Sequence, residues 1–321
     1  MEYTDLYING AWRPTDERID VINPATEEVL ASVASAGIED ANDALDAAEA
    51  AMADWAARTP RQRSEVLRKA WELMTARLDE FAHLITLENG KAGVDAKGEA
   101  TYAAEFFRWF AEEAVRADGL ITHAPASGAR IVVQHKPAGL AVLVTPWNYP
   151  AAMGTRKIAP ALAAGCGVII KPASETPLTM LALMPLLKEA GVPDGLVNVL
   201  PSKQTGALVD HMLHDPRVRV VSFTGSTGTC SAGPRGPSIV MHTAALRFSA
   251  FNAARAPATP PFSFRRSLRA VDPRTLCRPR KLDAAAAIFP SREFELMIVV
   301  GCGRGQYFST FVWSAGKRRM P

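Results

Sequence analysis

The 321-residue chain does not open on a basic segment followed by an apolar one, and nowhere does it hold a run of about 18 consecutive apolar residues. Neither secretion nor membrane spanning is therefore expected. Cysteine is scarce: Cys166, Cys230, Cys277 and Cys302 have neither metal-ligand spacing nor the density of a disulfide-stapled fold. No metal site is expected, and a reducing, cytoplasmic setting is. Lysine and acids are nearly missing from residues 229–321, which hold 13 Arg, 2 Lys and 4 acids, a net +11. The first 228 residues therefore carry −8 of the chain's net +3. A nucleic-acid arm usually mixes Lys with Arg along a helix or groove. Here Arg is scattered among Ala, Pro and Ser without a period, so no nucleic-acid partner is expected.

What is present in the first 228 residues is ordinary pattern and punctuation. At 48% hydrophobic, the chain can bury the core of one large or two medium domains. In "YINGAW" (7–12), two apolar runs flank Asn9-Gly10, a type I′ hairpin signal. "IEDANDALDAAEAAMADWAAR" (38–58) and "SEVLRKAWELMTARLDEFAHLITLENGK" (64–91) read as helices, with Thr59-Pro60 as a start, and "ATYAAEFFRWFAEEAVRA" (100–117) as a third. Trp55, Trp71, Phe106 and Trp109 are expected in the core.

After the extended "RIVVQHKP", interrupted at Pro137, strand and helix alternate. "LAVLV" is a continuous apolar strand, "GVIIK", "LVNVL" and "VRVVSF" read as further strands, and the segments between them are helical despite Pro160. Strands apolar on both faces, alternating with helices, predict an α/β fold: a Rossmann-like parallel sheet with helices on both faces. Such sheets bind ligands beyond the carboxyl ends of their strands. The residues to examine are therefore "TPWNYP" (145–150), "KPASETP" (171–177), "PSKQTG" (201–206) and "TGSTG" (224–228). "TGSTG" offers backbone N–H groups and hydroxyls suited to a pyrophosphate. Lys171 can pair with a phosphate or ribose, and Asn148 can face a developing oxyanion. Taken singly, each also suits ordinary turn chemistry.

Together and in this order they resemble the aldehyde dehydrogenase superfamily, from "YINGAW" and "INPATEEVLASV" through "LENGK", "TPWNYP", "GCGVIIKPASETP" and "AGVPDGLVNVL" to "FTGST". The resemblance implies an NAD(P)-binding domain over 1–228, with part of the oligomerisation hairpin near 121–138. It implies NADP or NAD as cofactor and a small-molecule aldehyde as substrate, without the G-x-G-x-x-G fingerprint. Intact relatives are homo-oligomers. By the same resemblance Asn148 is the side-chain half of the oxyanion hole. Thr145, Pro146 and Trp147 line the dinucleotide, Lys171 binds the adenine ribose, and Gly225 and Ser226 hold the pyrophosphate. Ser174 stands where NAD-preferring relatives carry a Glu that repels a 2′-phosphate, so NADP should be accepted, although Glu175 could restore NAD preference. "PAAMGTRKIAPALAAGC" is similar to succinate-semialdehyde dehydrogenases, in which Arg156 would hold the substrate carboxylate. An ordinary basic pair with Lys157 is the alternative.

In the family the phosphate turn leads to an E-L-G-G segment carrying the general base and a G-Q-x-C segment carrying the nucleophile. Neither occurs in residues 229–321, where the acids are Asp272, Asp283, Glu293 and Glu295, and Cys302 lies in "VGCGRGQYF". The expectation is a catalytic domain largely missing, and a poorly ordered Arg/Pro-rich tail that reads as GC-rich DNA translated in a shifted frame. The resemblance implies NAD(P)-dependent oxidation of an aldehyde, succinic semialdehyde among the candidates, to the carboxylic acid, with this chain expected to be inactive; a non-catalytic dinucleotide-binding fragment is the alternative.

Overall fold

The structure, a computed structural model, describes residues 3–225 and the backbone of two strands further along. Strands β1 (Leu6–Ile8) and β2 (Ala11–Arg13) form the predicted hairpin. Asn9 at φ 52° and Gly10 at φ 77° supply the two positive values that a type I′ turn needs. A second hairpin, β3 (Arg18–Ile22) with β4 (Val29–Ala34), follows.

Four helices come next: α1 (Ile38–Ala57), α2 (Pro60–Ala76), α3 (Leu78–Asn89) and α4 (Gly93–Ala114). Thr59 caps α2, its Oγ1 accepting from Gln62 N–H at 3.3 Å while Gln62 Oε1 accepts from Thr59 N–H at 2.8 Å. The single helix expected over 64–91 is two, because Arg77 leaves helical geometry at φ −116°. The break lets both halves pack against α4, an interaction that local propensity does not encode. Helix α4 also starts earlier than expected, at Gly93 rather than near Ala100. Trp55 and Phe106 are core residues and Trp71 is half-buried, but Trp109 is 53% exposed. The buried stripe of α4 runs through Phe106, Phe107, Phe110 and Ala114, and Trp109 falls off its edge.

An exposed antiparallel hairpin, β5 (Leu120–His123) with β6 (Arg130–Val133), leads into the alternating region. There β7 (Leu140–Val144), α5 (Ala152–Ala164), β8 (Val168–Lys171) and α6 (Leu178–Ala190) are followed by β9 (Val197–Val199), α7 (Thr205–His214) and β10 (Val218–Phe223). Alternate residues of β7 serve opposite layers. Leu140, Val142 and Val144 join the core under α1 and α7, and Ala141 and Leu143 the core under α2, α4, α5 and α6.

The sheet order is β10-β7-β8-β9-β1-β2. Its four βα strands are parallel, as expected, but β1 joins β9 antiparallel, so the sheet is mixed. Buried Asn198 secures that junction: its Oδ1 accepts from Asn9 N–H at 2.9 Å, and its Nδ2 donates to Gly195 O at 2.7 Å. Strands β7, β8 and β9 are laid down in one direction, whereas β10 returns to the far side of β7. The strand order thus reverses between β7 and β10, where open α/β sheets bind their ligands. Beyond residue 225, the described strands β11 (Glu295–Val299) and β12 (Thr310–Ser314) pair antiparallel. The remainder of 229–321, on which the expectation of poor order falls, lies outside the described residues.

Candidate functional site

The four strand-end loops are tied to one another at this end of the sheet. Thr145 N–H, just past β7, donates to Lys171 O at the end of β8 at 3.2 Å, and Thr224 N–H, just past β10, donates to Val144 O at 3.1 Å. Ser174 Oγ donates to Ser202 O at 3.0 Å, tying the loop after β8 to the loop after β9. The predicted residues Thr145, Pro146, Trp147, Lys171 and Gly225 thus lie on adjoining strand ends. Ser226 lies outside the described residues. A Cβ at Gly225 would stand 2.6 Å from the Phe223 ring, so any other residue there would have to displace that ring.

Two of these groups are buried with unused hydrogen-bonding capacity. Lys171 is 4% exposed, and its ammonium makes no hydrogen bond to any described residue. Burial pulls its pKa down to about 8, against the pull of Glu175. The hydroxyl of buried Thr145 likewise has no partner among the described residues. Buried polar groups are nearly always satisfied, so two open ones at neighbouring strand ends point to a ligand with acceptors.

The exposed turn Trp147-Asn148-Tyr149 is held from behind by "LENGK", a motif to which the sequence assigned no role. Trp147 O accepts from Asn89 Nδ2 at 2.9 Å and from Thr176 Oγ1 at 3.1 Å, and Asn148 O accepts from Lys91 Nζ at 3.0 Å. The amide of the exposed Asn148 side chain has no partner among the described residues. Two buried carboxylates complete the frame. Glu99 accepts from Ala151 N–H at 3.0 Å and Ala152 N–H at 3.3 Å at the start of α5, and it pairs with Lys91. Glu88 accepts from Leu178 N–H at 2.8 Å and Thr179 N–H at 3.0 Å at the start of α6. The signal was available in the sequence: each carboxylate interrupts an apolar stripe, Glu88 after Phe81 and Ile85, Glu99 between Ala96 and Ala103.

Arg156 and Lys157 lie side by side on α5 but in different surroundings. Lys157 is buried and donates to Ser222 Oγ at 2.7 Å. Burial, reinforced by Arg156, lowers its pKa to about 7. Arg156 is half-buried beside Tyr102, which in turn feels Tyr149 next to Asn148. Tyr102 was not singled out in the sequence, since its neighbours come together only in the fold.

The sequence model of the aldehyde dehydrogenase family matches residues 12–232. The chain belongs to that family. Among similar members, the succinate-semialdehyde dehydrogenase of Paenarthrobacter nicotinovorans is 51% identical over 199 residues, 62% of this chain and 44% of that protein. The NADP(+) succinate-semialdehyde dehydrogenase of Escherichia coli K12 is 46% identical over 222 residues, 68% of this chain and 46% of that protein. An Escherichia coli NADP-dependent enzyme of known crystal structure superposes with a TM-score of 0.71 at 40% identity, covering 75% of this chain and 52% of that one. The chain spans less than half the length of these two curated relatives.

As a member of this family with an α/β fold, the chain presents part of the family architecture, and its strand ends can be matched against a dinucleotide. The groups present fit one: a buried ammonium, a buried hydroxyl and a glycine turn stand at the neighbouring ends of β8, β7 and β10. Among the described residues no group of acidic, His and Cys side chains is arranged to hold a metal ion. Nor is any described helix long and apolar enough to cross a membrane.

Proposed function

We propose that residues 1–228 form the NAD(P)-binding domain of a succinate-semialdehyde dehydrogenase-like protein, whose family reaction is oxidation of an aldehyde to the carboxylic acid. The observation that carries this is the buried ammonium of Lys171 beside the buried hydroxyl of Thr145, neither with a hydrogen-bond partner among the described residues. Lys171 binds the ribose of the adenine half, and Gly225 with Ser226 offers the pyrophosphate its backbone N–H groups. Ser174 presents no carboxylate to a 2′-phosphate, so NADP is accepted. Thr145, Pro146 and Trp147 line the dinucleotide. When bound, the cofactor supplies the hydride acceptor.

Asn148 donates its side-chain N–H to the oxygen that gains charge as the aldehyde carbon becomes tetrahedral. Arg156, at the Tyr102–Tyr149 end of the site, holds the substrate carboxylate through its planar fork. The exposed apolar side chains of Leu120, Ile121, Ile131 and Val132 form the subunit-facing hairpin. In this polypeptide the segments that carry nucleophile and base are not recognisable after Gly228, where an altered reading frame begins. The protein therefore binds the dinucleotide without turning over aldehyde, in a cytoplasmic setting.

Titration of the purified chain with NADP and NAD, followed by quenching of Trp fluorescence, tests the binding. Succinic semialdehyde is then added and nicotinamide reduction followed by absorbance. Binding without reduction is the expected result. Reduction would refute the loss of catalysis, and no quenching by either dinucleotide would refute the site itself.

A further inference from the structure

The "LENGK" motif and Glu99 act on the site without reaching into it. Two successive carbonyls of the turn that carries Asn148 are held by one short loop: Asn89 Nδ2 bonds Trp147 O at 2.9 Å and Lys91 Nζ bonds Asn148 O at 3.0 Å. Gly90 makes this possible. At φ 74° it ends α3 in the left-handed conformation, and a Cβ there would stand 2.7 Å from the Pro24 ring.

Lys91 has no capacity left for a ligand. Its side chain is 15% exposed, and the ammonium is shared between Glu99, Asn148 O and the face of the Tyr149 ring, 4.0 Å from the centroid. Glu99 is equally committed, with one oxygen on Lys91 and the other on the N–H groups of Ala151 and Ala152. The carboxylate therefore joins the start of α5 to the turn ahead of it, fixing the residues on both sides of Tyr149 and Pro150. With both carbonyls pinned, the Cα–Cβ bond from which the Asn148 side chain extends is fixed in place, as an oxyanion donor requires.

We propose that Lys91, held by Glu99, is the positioning residue for Asn148. The inference rests on the reading of Asn148 as a donor to the reacting oxygen, which sets the nicotinamide end of the dinucleotide at this turn and the adenosine end at Lys171.

Two variants and two readouts test it. Lys91→Met removes the donor but keeps the length of the stem. Glu99→Gln keeps an oxygen for Ala151 and Ala152 but turns an amide N–H₂ toward Lys91, so the cap survives while the pair is lost. Hydrogen exchange over residues 145–153 is expected to accelerate at least tenfold in Lys91→Met and in the Trp147–Tyr149 part of Glu99→Gln, with β8 and α6 unchanged. Affinity for NADP should fall about tenfold, whereas an adenosine bisphosphate lacking nicotinamide binds both variants like the wild type. Equal weakening of both ligands, or acceleration spread over the whole domain, would make Lys91 a general structural residue and overturn the proposal. Unchanged exchange in the turn would overturn it whatever the ligands do. If the wild type binds neither ligand yet the turn loosens as expected, the positioning stands and the dinucleotide reading falls.

Discussion

Lys157 Nζ lies 2.7 Å from Ser222 Oγ, a buried bridge between helix α5 and strand β10 across the switch point. It joins the helix that follows Asn148 to the strand that precedes Gly225, a side-chain link added to the backbone pairing of β7 with β10. An ammonium in such surroundings is costly, and burial followed by the nearby Arg156 lowers its pKa from 10.5 to about 7.

The consequence is a pH-dependent stability with a definite sign. The unfolded chain holds this proton up to 10.5 and the folded one only to about 7, so stability rises with pH between those values. It is lost as pH falls toward the folded value. Lys157→Met does not titrate. Denaturant unfolding of both proteins across this range should show the wild type gaining on the variant as pH increases, and a constant difference would contradict the assignment.

Glu88 titrates with the opposite sign. Burial, only partly offset by hydrogen bonds from Thr179 and Leu178, raises its carboxyl from 4.5 to about 7. The folded state therefore keeps the proton longer, and this contribution to stability is complete below 4.5 and disappears as pH rises through about 7. Glu88→Gln should be at its worst relative to wild type at acid pH and should recover ground toward alkaline pH. Thermal midpoints measured in pairs decide this.

Replacing Lys171 separates stability from binding. The ammonium is buried without a hydrogen-bond partner among the described residues, so Lys171→Met should stabilise the domain by about 1–2 kcal/mol. The same change should weaken dinucleotide binding at least about tenfold, or ~1.4 kcal/mol. A variant that is destabilised and binds normally would show that the ammonium serves the fold rather than the site.

Gly165 ends α5 at φ 92°, and a Cβ there would meet the Pro137 ring at 2.8 Å. Gly165→Ala combines left-handed strain with that contact and should cost about 2–3 kcal/mol. Chemical denaturation measures it, and a loss below about 0.5 kcal/mol would mean that Pro137 and its loop yield freely.

Much of the fold was legible because its signals are local. The apolar runs at 140–144 and 218–223 coincide with β7 and β10, and Asn9-Gly10 gives its hairpin. The break at Arg77 was not legible: neither Gly nor Pro marks it, and packing of α2 and α3 on α4 decides it. Trp109 was misplaced because composition suggested a core aromatic, while the helical stripe put it outside. At the site, residue types on the strand-end loops were readable, but Tyr102, Glu88 and Glu99 were not singled out.

By itself the sequence determined the alternation of strands and helices, the loops that carry chemistry and the kinship those loops display, because turn and strand preferences act between near neighbours. Only the tertiary structure decided that β10 returns beside β7, that β1 closes the far side of β9, and that carboxylates from α3 and α4 cap α6 and α5. These depend on which groups can share a dry interior. A carboxylate on an apolar stripe finds its partners roughly 50 to 90 residues away along the chain, at helix starts whose N–H groups have none of their own.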